Sequence, residues 1–210
     1  MNTIGYYFTH PQAIIYAVAT ALLYPVLVAE VLALAWCLFE AGRFTVELIG
    51  RIGKRSLAAT RAAAGHAQAA LEAGRADEAI EHLTIALKHG RYGRRFTTML
   101  AEGDLGRTEL MKLLTDVENE ASRRLERTRV LVRIGPMLGL MGTLIPISPA
   151  LVGLAQGDVQ TLSDNLVIAF STTVVGLLIG GIAYVVSTVR ERLYTLDVSD
   201  IEYALERLGV

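Results

Sequence analysis

Long stretches of apolar residues dominate the pattern along this chain. Three of them cover residues 11–41, 130–155 and 162–189. A run of about 25 residues extends roughly 37 Å as an α-helix, whereas the hydrocarbon core of a bilayer is about 30 Å thick. The pattern therefore predicts an all-α integral membrane protein with three transmembrane helices.

The residues between and after these runs predict a helical domain outside the membrane. Residues 42–129 are rich in Ala, Arg and Glu with helical periodicity, and glycines interrupt them, so we expect three or four helices there. Residues 69–87 look like half of a tetratricopeptide-type repeat. An ordinary amphipathic helix pair is the simpler interpretation, because no second copy follows. Residues 190–210 predict a helix that continues the third span and packs with this domain.

The basic residues predict the orientation of the chain. All 20 Lys and Arg lie within 43–133 or 190–210, and none lies within 1–10 or 156–161. Basic loops stay in the cytoplasm by the positive-inside rule. We therefore expect an outer amino-terminal segment at 1–10, a cytoplasmic domain at 42–129, an outer turn at 156–161 and a cytoplasmic carboxy-terminal helix (N-out, C-in).

Composition excludes several classes of function. The chain is 52% hydrophobic and has a net charge of −1, with a mean hydropathy of +0.42. Its one cysteine, Cys37, forms no intrachain disulfide, and its four histidines are scattered. Without a metal-ligand cluster, a phosphate loop or a catalytic triad, we expect neither a cofactor nor an enzyme. The arginines of 123–133 are interspersed with Glu and lack aromatic neighbours, so they mark a membrane boundary rather than a nucleic-acid site.

Two residues stand out in the first apolar run. Pro25 predicts a kink, because an interior proline removes one helix hydrogen bond. Glu30 is the one acid of residues 11–39, and charge at the bilayer centre costs about 2.5–3.5 kcal/mol. Glu30 is either a structural residue, protonated or paired in a subunit contact, or a functional intramembrane acid. Both interpretations stay open.

Small residues mark one face of each of the last two runs. Glycines at three- and four-residue spacing let helix backbones approach closely in lipid. The predicted packing residues are Gly135, Gly139, Gly142, Gly176 and Gly180. Thr143 and Thr173 each lie one turn from such a glycine. On spacing alone, their hydroxyls are expected to bond a carbonyl one turn back.

The same residues resemble the motifs of a known family. GPMLGLMGT at 135–143 is similar to the G-L-x-G-T signature of the MotA/TolQ/ExbB proton channel family, and TTVVGL at 172–177 is similar to its second motif. The three-span layout resembles the TolQ/ExbB branch. Some members carry a Glu about one turn before the second threonine, where this chain has Ile168 and Ala169. Pro146 stands where Gly is common.

The resemblance implies a function and its partners. Thr143 and Thr173 would line a pore that conducts protons or Na⁺. The chain would form a homo-oligomer, a pentamer, in the cytoplasmic (inner) membrane. It would surround a single-span partner of the ExbD/TolR/MotB type with an intramembrane Asp, in contact with lipid and without nucleic acid.

The expected function is that of a channel or stator subunit in a motor driven by the ion-motive force. The alternative is a non-conducting scaffold that assembles partners through its cytoplasmic helices. A small-molecule transporter is disfavoured, because three spans without internal repeats do not match that architecture.

Overall fold

The chain is described by a computed structural model over residues 11–51, 57–87, 90–102 and 106–207. These residues form helices and short turns. The helices are α1 (Pro11–Ala21), α2 (Leu23–Arg51), α3 (Leu57–Glu72), α4 (Ala76–Leu87), α5 (Arg91–Glu102), α6 (Arg107–Ala155) and α7 (Val159–Arg207). The predicted outer segment at 1–10 lies outside the described residues.

Three stretches are long and apolar enough to cross a membrane. They are Ile14–Arg51, which joins α1 and α2, Thr108–Ala155 in α6, and Val159–Glu206 in α7. This confirms the predicted all-α fold with three candidate spans. Each helix also continues well past its apolar segment, since α6 and α7 have 49 residues each.

The first span is interrupted at Leu22, three residues before Pro25. Proline has no N–H to donate to the carbonyl of Ala21, four residues earlier, and its ring crowds that carbonyl. The amide of Val26 still reaches the carbonyl of Leu22 at 3.0 Å, so a regular helix resumes immediately. Pro25 therefore interrupts the helix in the turn before it, and the helix is regular after it.

A tight turn joins α6 to α7. Gly157 has a φ of 77°, which favours glycine, and the amide of Asp158 donates to the carbonyl of Gly153 at 2.8 Å. Asp158 then caps α7, because its carboxylate accepts hydrogen bonds from the Thr161 amide and hydroxyl. These two donors lower the pKa of Asp158, since they favour its ionised form.

The chain divides into two compact units. Unit 1 comprises the residues up to Ala41 together with Thr128–Val185, and unit 2 comprises Gly42–Arg127 together with Val186–Val210. The core of unit 1 is small and contains Ala33, Cys37, Leu131, Ile179 and Ala183. The core of unit 2 is larger and gathers side chains from α3 to α7.

Tyr92 and Tyr194 lie at the centre of unit 2. Both side chains are almost fully buried, and their rings pack edge to face with centroids 4.8 Å apart. Burial raises the pKa of Tyr92, because the charged phenolate would lose its hydration. Tyr194 lies on the part of α7 that belongs to this unit, so the tail is part of the unit 2 core.

Candidate functional site

Glycines allow the backbones of α6 and α7 to touch in unit 1. A Cβ on Gly176 would lie 2.7 Å from the carbonyl oxygen of Gly135 and 2.7 Å from the Cα of Gly139. A Cβ on Gly180 would meet the ring of Pro136 at 2.8 Å, and one on Gly142 would meet Thr172. The structure therefore places all five glycines that the sequence singled out at the contact between these two helices.

Thr143 of α6 and Thr173 of α7 meet at this contact. Their hydroxyl groups hydrogen-bond each other. The Thr143 hydroxyl also lies 2.9 Å from the carbonyl oxygen of Gly139. Both hydroxyls approach the carbonyl oxygen of Ala169, at 3.2 and 3.1 Å. Both side chains remain half-buried, so the pair is partly accessible within a single copy.

This pair of hydroxyls has more acceptor capacity than protons to donate. Each threonine hydroxyl has one hydrogen and two lone pairs. One hydrogen can join the two oxygens, and the other can go to a carbonyl, which leaves lone pairs for an incoming donor. A protonated carboxyl could donate to one of these lone pairs, and an ionised carboxyl could accept the hydrogen that otherwise goes to the carbonyl.

Thr172, next to Thr173, has a different environment. Its side chain is 5% exposed, and its hydroxyl donates within its own helix to the carbonyls of Ile168 and Ala169, at 3.1 and 2.9 Å. It packs against Gly142 of α6. The two adjacent threonines therefore differ in role, since only Thr173 reaches the hydroxyl of Thr143.

The segments of α6 and α7 around the hydroxyl pair have no ionisable side chain. The segments 134–157 and 165–183 contain no Asp, Glu, Lys, Arg, His, Cys or Tyr. Ile168 and Ala169 lie in the turn before Thr172. Ala169 is buried, and it contributes its carbonyl oxygen to the hydroxyl pair. Neither α6 nor α7 therefore supplies an acid to this site.

The acid of unit 1 comes from α2 instead. Glu30 is 3% exposed, and its carboxyl lies beside the backbone of Gly176. Its Oε1 atom has no hydrogen-bond partner among the described residues. Seven residues further along α2, Cys37 packs on α7 in the same way, with its Sγ 3.6 Å from the carbonyl oxygen of Ile179. Glu30 therefore lies deep in the helix packing and away from lipid.

The sequence interpretation missed a buried polar network in unit 2. Asp197 of α7 accepts two hydrogen bonds from Arg51 at 2.8 and 3.0 Å and one from the Tyr92 amide at 3.3 Å. The Arg51 guanidinium also lies 3.3 Å from Glu47. One feature of the sequence could have indicated this network. Glu30, Cys37, Phe44 and Arg51 are spaced by seven residues, which places their side chains on one face of α2.

The comparisons with known proteins give one match. A family model described as the MotA/TolQ/ExbB proton channel family matches residues 92–202, which is just over half of the 210 residues. The matched range includes nearly all of α5, the whole of α6 and most of α7. It therefore contains both threonines and all five glycines of the α6–α7 contact. No curated protein and no solved structure matches the chain.

Proposed function

This chain belongs to the MotA/TolQ/ExbB proton channel family, and from that premise we propose that it is the channel subunit of a membrane motor driven by the ion-motive force. Family membership supports a general proton-channel or stator-like role. The observation that carries the finer proposal is the Thr143–Thr173 hydroxyl pair, which lies on two candidate spans that contain no acid near it.

The proposed subunit works as one member of a homopentameric ring. One copy leaves the two hydroxyls half-exposed and has no second wall to enclose a passage. Large apolar side chains of α6 and α7, such as Met137, Leu140 and Val174, are also exposed in the single copy. In a ring, such faces would contact neighbouring copies, lipid or a central helix, and the hydroxyl pairs would line the shared lumen.

A partner helix supplies the acid that the lumen lacks. We place there the membrane helix of a single-span protein of the ExbD/TolR/MotB type, which carries an Asp. The hydroxyl pair can bind that Asp in both protonation states. Each charge that moves through 100 mV releases about 2.3 kcal/mol, so several protons per step can drive movement of the partner relative to the ring. The proposed location is the cytoplasmic (inner) membrane.

The decisive experiment replaces Thr173 by valine, which keeps the shape and removes the hydroxyl. The complex is purified through a tag on this chain and reconstituted in liposomes that contain a pH-sensitive dye. We expect Thr173→Val to reduce proton flux at least about tenfold, because a lost hydrogen bond to a charged group costs about 1.5–3 kcal/mol. The oligomer should elute unchanged on size exclusion.

Thr172→Val is the matched control, because the Thr172 hydroxyl donates only within its own helix. This variant is expected to conduct at close to the wild-type rate. If Thr173→Val also conducts normally, the hydroxyl pair does not take part in conduction, and a non-conducting scaffold becomes the better interpretation of the family match.

A further inference from the structure

The described part of unit 1 contains a buried carboxyl that the proposed function leaves unused. Glu30 is 3% exposed, in a helix whose neighbouring residues Val28, Val31 and Leu32 are all more than half exposed. Exposed positions therefore lie on either side of Glu30 along α2. The chain instead places its acid in the contact between α2 and α7, where Oε1 has no partner among the described residues.

Among the residues that the structure describes, no cation lies near Glu30 to hold it as a fixed ion pair. The facing stretches of α6 and α7, residues 134–157 and 165–183, have no ionisable side chain. Within seven residues of Glu30 on α2, the other ionisable side chains are Tyr24, which is 76% exposed, and the buried Cys37. An isolated carboxylate in such an apolar place is strongly disfavoured, so the carboxyl carries a proton whenever this packing is intact.

A short chain of contacts leads from Glu30 to the threonines. Its carboxyl lies beside the backbone of Gly176. Gly176 packs directly on Gly139, whose carbonyl oxygen accepts the hydroxyl of Thr143 at 2.9 Å. Thr173 is one turn before Gly176 on α7. The buried carboxyl and the hydroxyl pair therefore lie about one helical turn apart along α7.

We propose that Glu30 is a proton-exchanging carboxyl of the ring subunit itself, which is loaded and unloaded next to the Thr143–Thr173 pair when its packing against α7 opens in each working step. This rests on the proposed function as a proton channel. When this packing is open, the Glu30 carboxyl releases its proton to the hydroxyl pair, which passes a proton on to the partner's carboxylate, so no other reactant is needed. The ring is then an active participant in proton transfer, with its acid on α2 in place of an acid on α7.

The first test compares Glu30→Gln with Glu30→Asp in the reconstituted complex. Gln keeps the size and hydrogen-bonding groups but does not bind a proton, so we expect proton flux to fall by about a hundredfold, the scale of a lost proton-transfer group. Asp should restore much of the flux, with a shifted pH profile. Glu40→Gln, on the same helix outside the contact with Gly176, is the control and should conduct normally.

The second test acts on the wild-type complex after assembly, and therefore does not depend on how the variants fold. A hydrophobic carbodiimide takes up the proton of a protonated carboxyl and bonds the carboxylate oxygen at its central carbon. We expect mass spectrometry to find this adduct on Glu30, with labelling that decreases as pH rises, and flux to fall in parallel with labelling. The adduct should be missing in Glu30→Gln.

The possible outcomes separate this inference from the proposed function. A wild-type complex that conducts no protons overturns both. A wild-type complex that conducts, together with a Glu30→Gln complex that conducts equally well, overturns only the role of Glu30. The same follows if Glu30 fails to react with the carbodiimide, or reacts without any loss of flux. Loss of flux in both tests supports the proposal.

Discussion

At the scale of single residues, the contact between α6 and α7 depends on atoms that cannot move aside. A Cβ on Gly176 would approach only backbone atoms, the carbonyl oxygen of Gly135 and the Cα of Gly139. Relief would require the two helices to separate, which would also pull the hydroxyls of Thr143 and Thr173 apart. Gly181 lies on another face of α7, where an added Cβ would meet no neighbouring helix of the described residues within 4 Å.

This difference predicts unequal effects of the same substitution. Gly176→Ala should lower the stability of the folded chain by about 1–3 kcal/mol, as overpacking does in well-packed interiors. Gly181→Ala should be neutral or stabilise by up to about 1 kcal/mol, because alanine favours the helix. Thermal unfolding of both variants in the same detergent measures the effect. Equal melting temperatures would contradict the close backbone contact.

The sequence alone identified the glycines and threonines of this contact but not the role of Glu30. Small-residue spacing and the family motif singled out Thr143 and Thr173, and the structure brings these two residues together. The role of Glu30 stayed open because it depends on the rotation of α2 about its own axis. An acid in an apolar run is equally compatible with lipid, water or a neighbouring helix until that rotation is known.

At the scale of elements, α2 contacts α7 through residues spaced by seven. In unit 1, Glu30 lies beside Gly176, and Cys37 lies beside Ile179. In unit 2, the Arg51 guanidinium binds Asp197. The pattern of hydrophobic residues does not reveal this face of α2, because its members are an acid, a thiol and a base. The sequence therefore predicted the helices, but it did not predict which face of α2 packs against α7.

Asp197 joins three helices of unit 2. It binds Arg51 of α2, accepts the Tyr92 amide at the start of α5, and packs so closely on Gly90 that a Cβ there would lie 2.5 Å from Oδ1. The side chains of Asp197 and Arg51 are 7% and 13% exposed. Removal of Asp197 would leave the Arg51 guanidinium with Glu47 as its remaining acid partner and would take the acceptor from the Tyr92 amide.

Asp197→Ala should therefore destabilise the protein by at least about 1.5–3 kcal/mol, the scale of a lost hydrogen bond to a charged group. Asp116→Ala is the matched control, because it breaks the Asp116–Lys112 pair on the exposed surface of α6, and such pairs contribute about 0–1 kcal/mol. Chemical unfolding of the full chain in detergent gives both values. A similar small loss for the two variants would show that the network is not a stabilising element of unit 2.

At the scale of the whole molecule, the separation of apolar and basic residues is the basis for the orientation. The helices and their packing are compatible with either direction of insertion, because interhelical contacts do not depend on which side is the cytoplasm. Only the basic residues, all within 43–133 and 190–210, distinguish the two sides. Arg190, at 0% exposed, and Arg51 are held inside unit 2, while Arg129 and Arg133 are exposed.

The orientation is testable because the chain has a single native cysteine. Cys37 is 2% exposed and should not react with a membrane-impermeant maleimide, so it provides an internal negative control. A cysteine introduced as Gln156→Cys, in the exposed turn, should be labelled in intact spheroplasts. One introduced as Glu109→Cys, at the start of α6, should react only after the membrane is permeabilised. The reverse labelling would place the basic segments outside the cytoplasm, and the three apolar stretches would then have to cross the membrane in the opposite direction to the one that the charges predict.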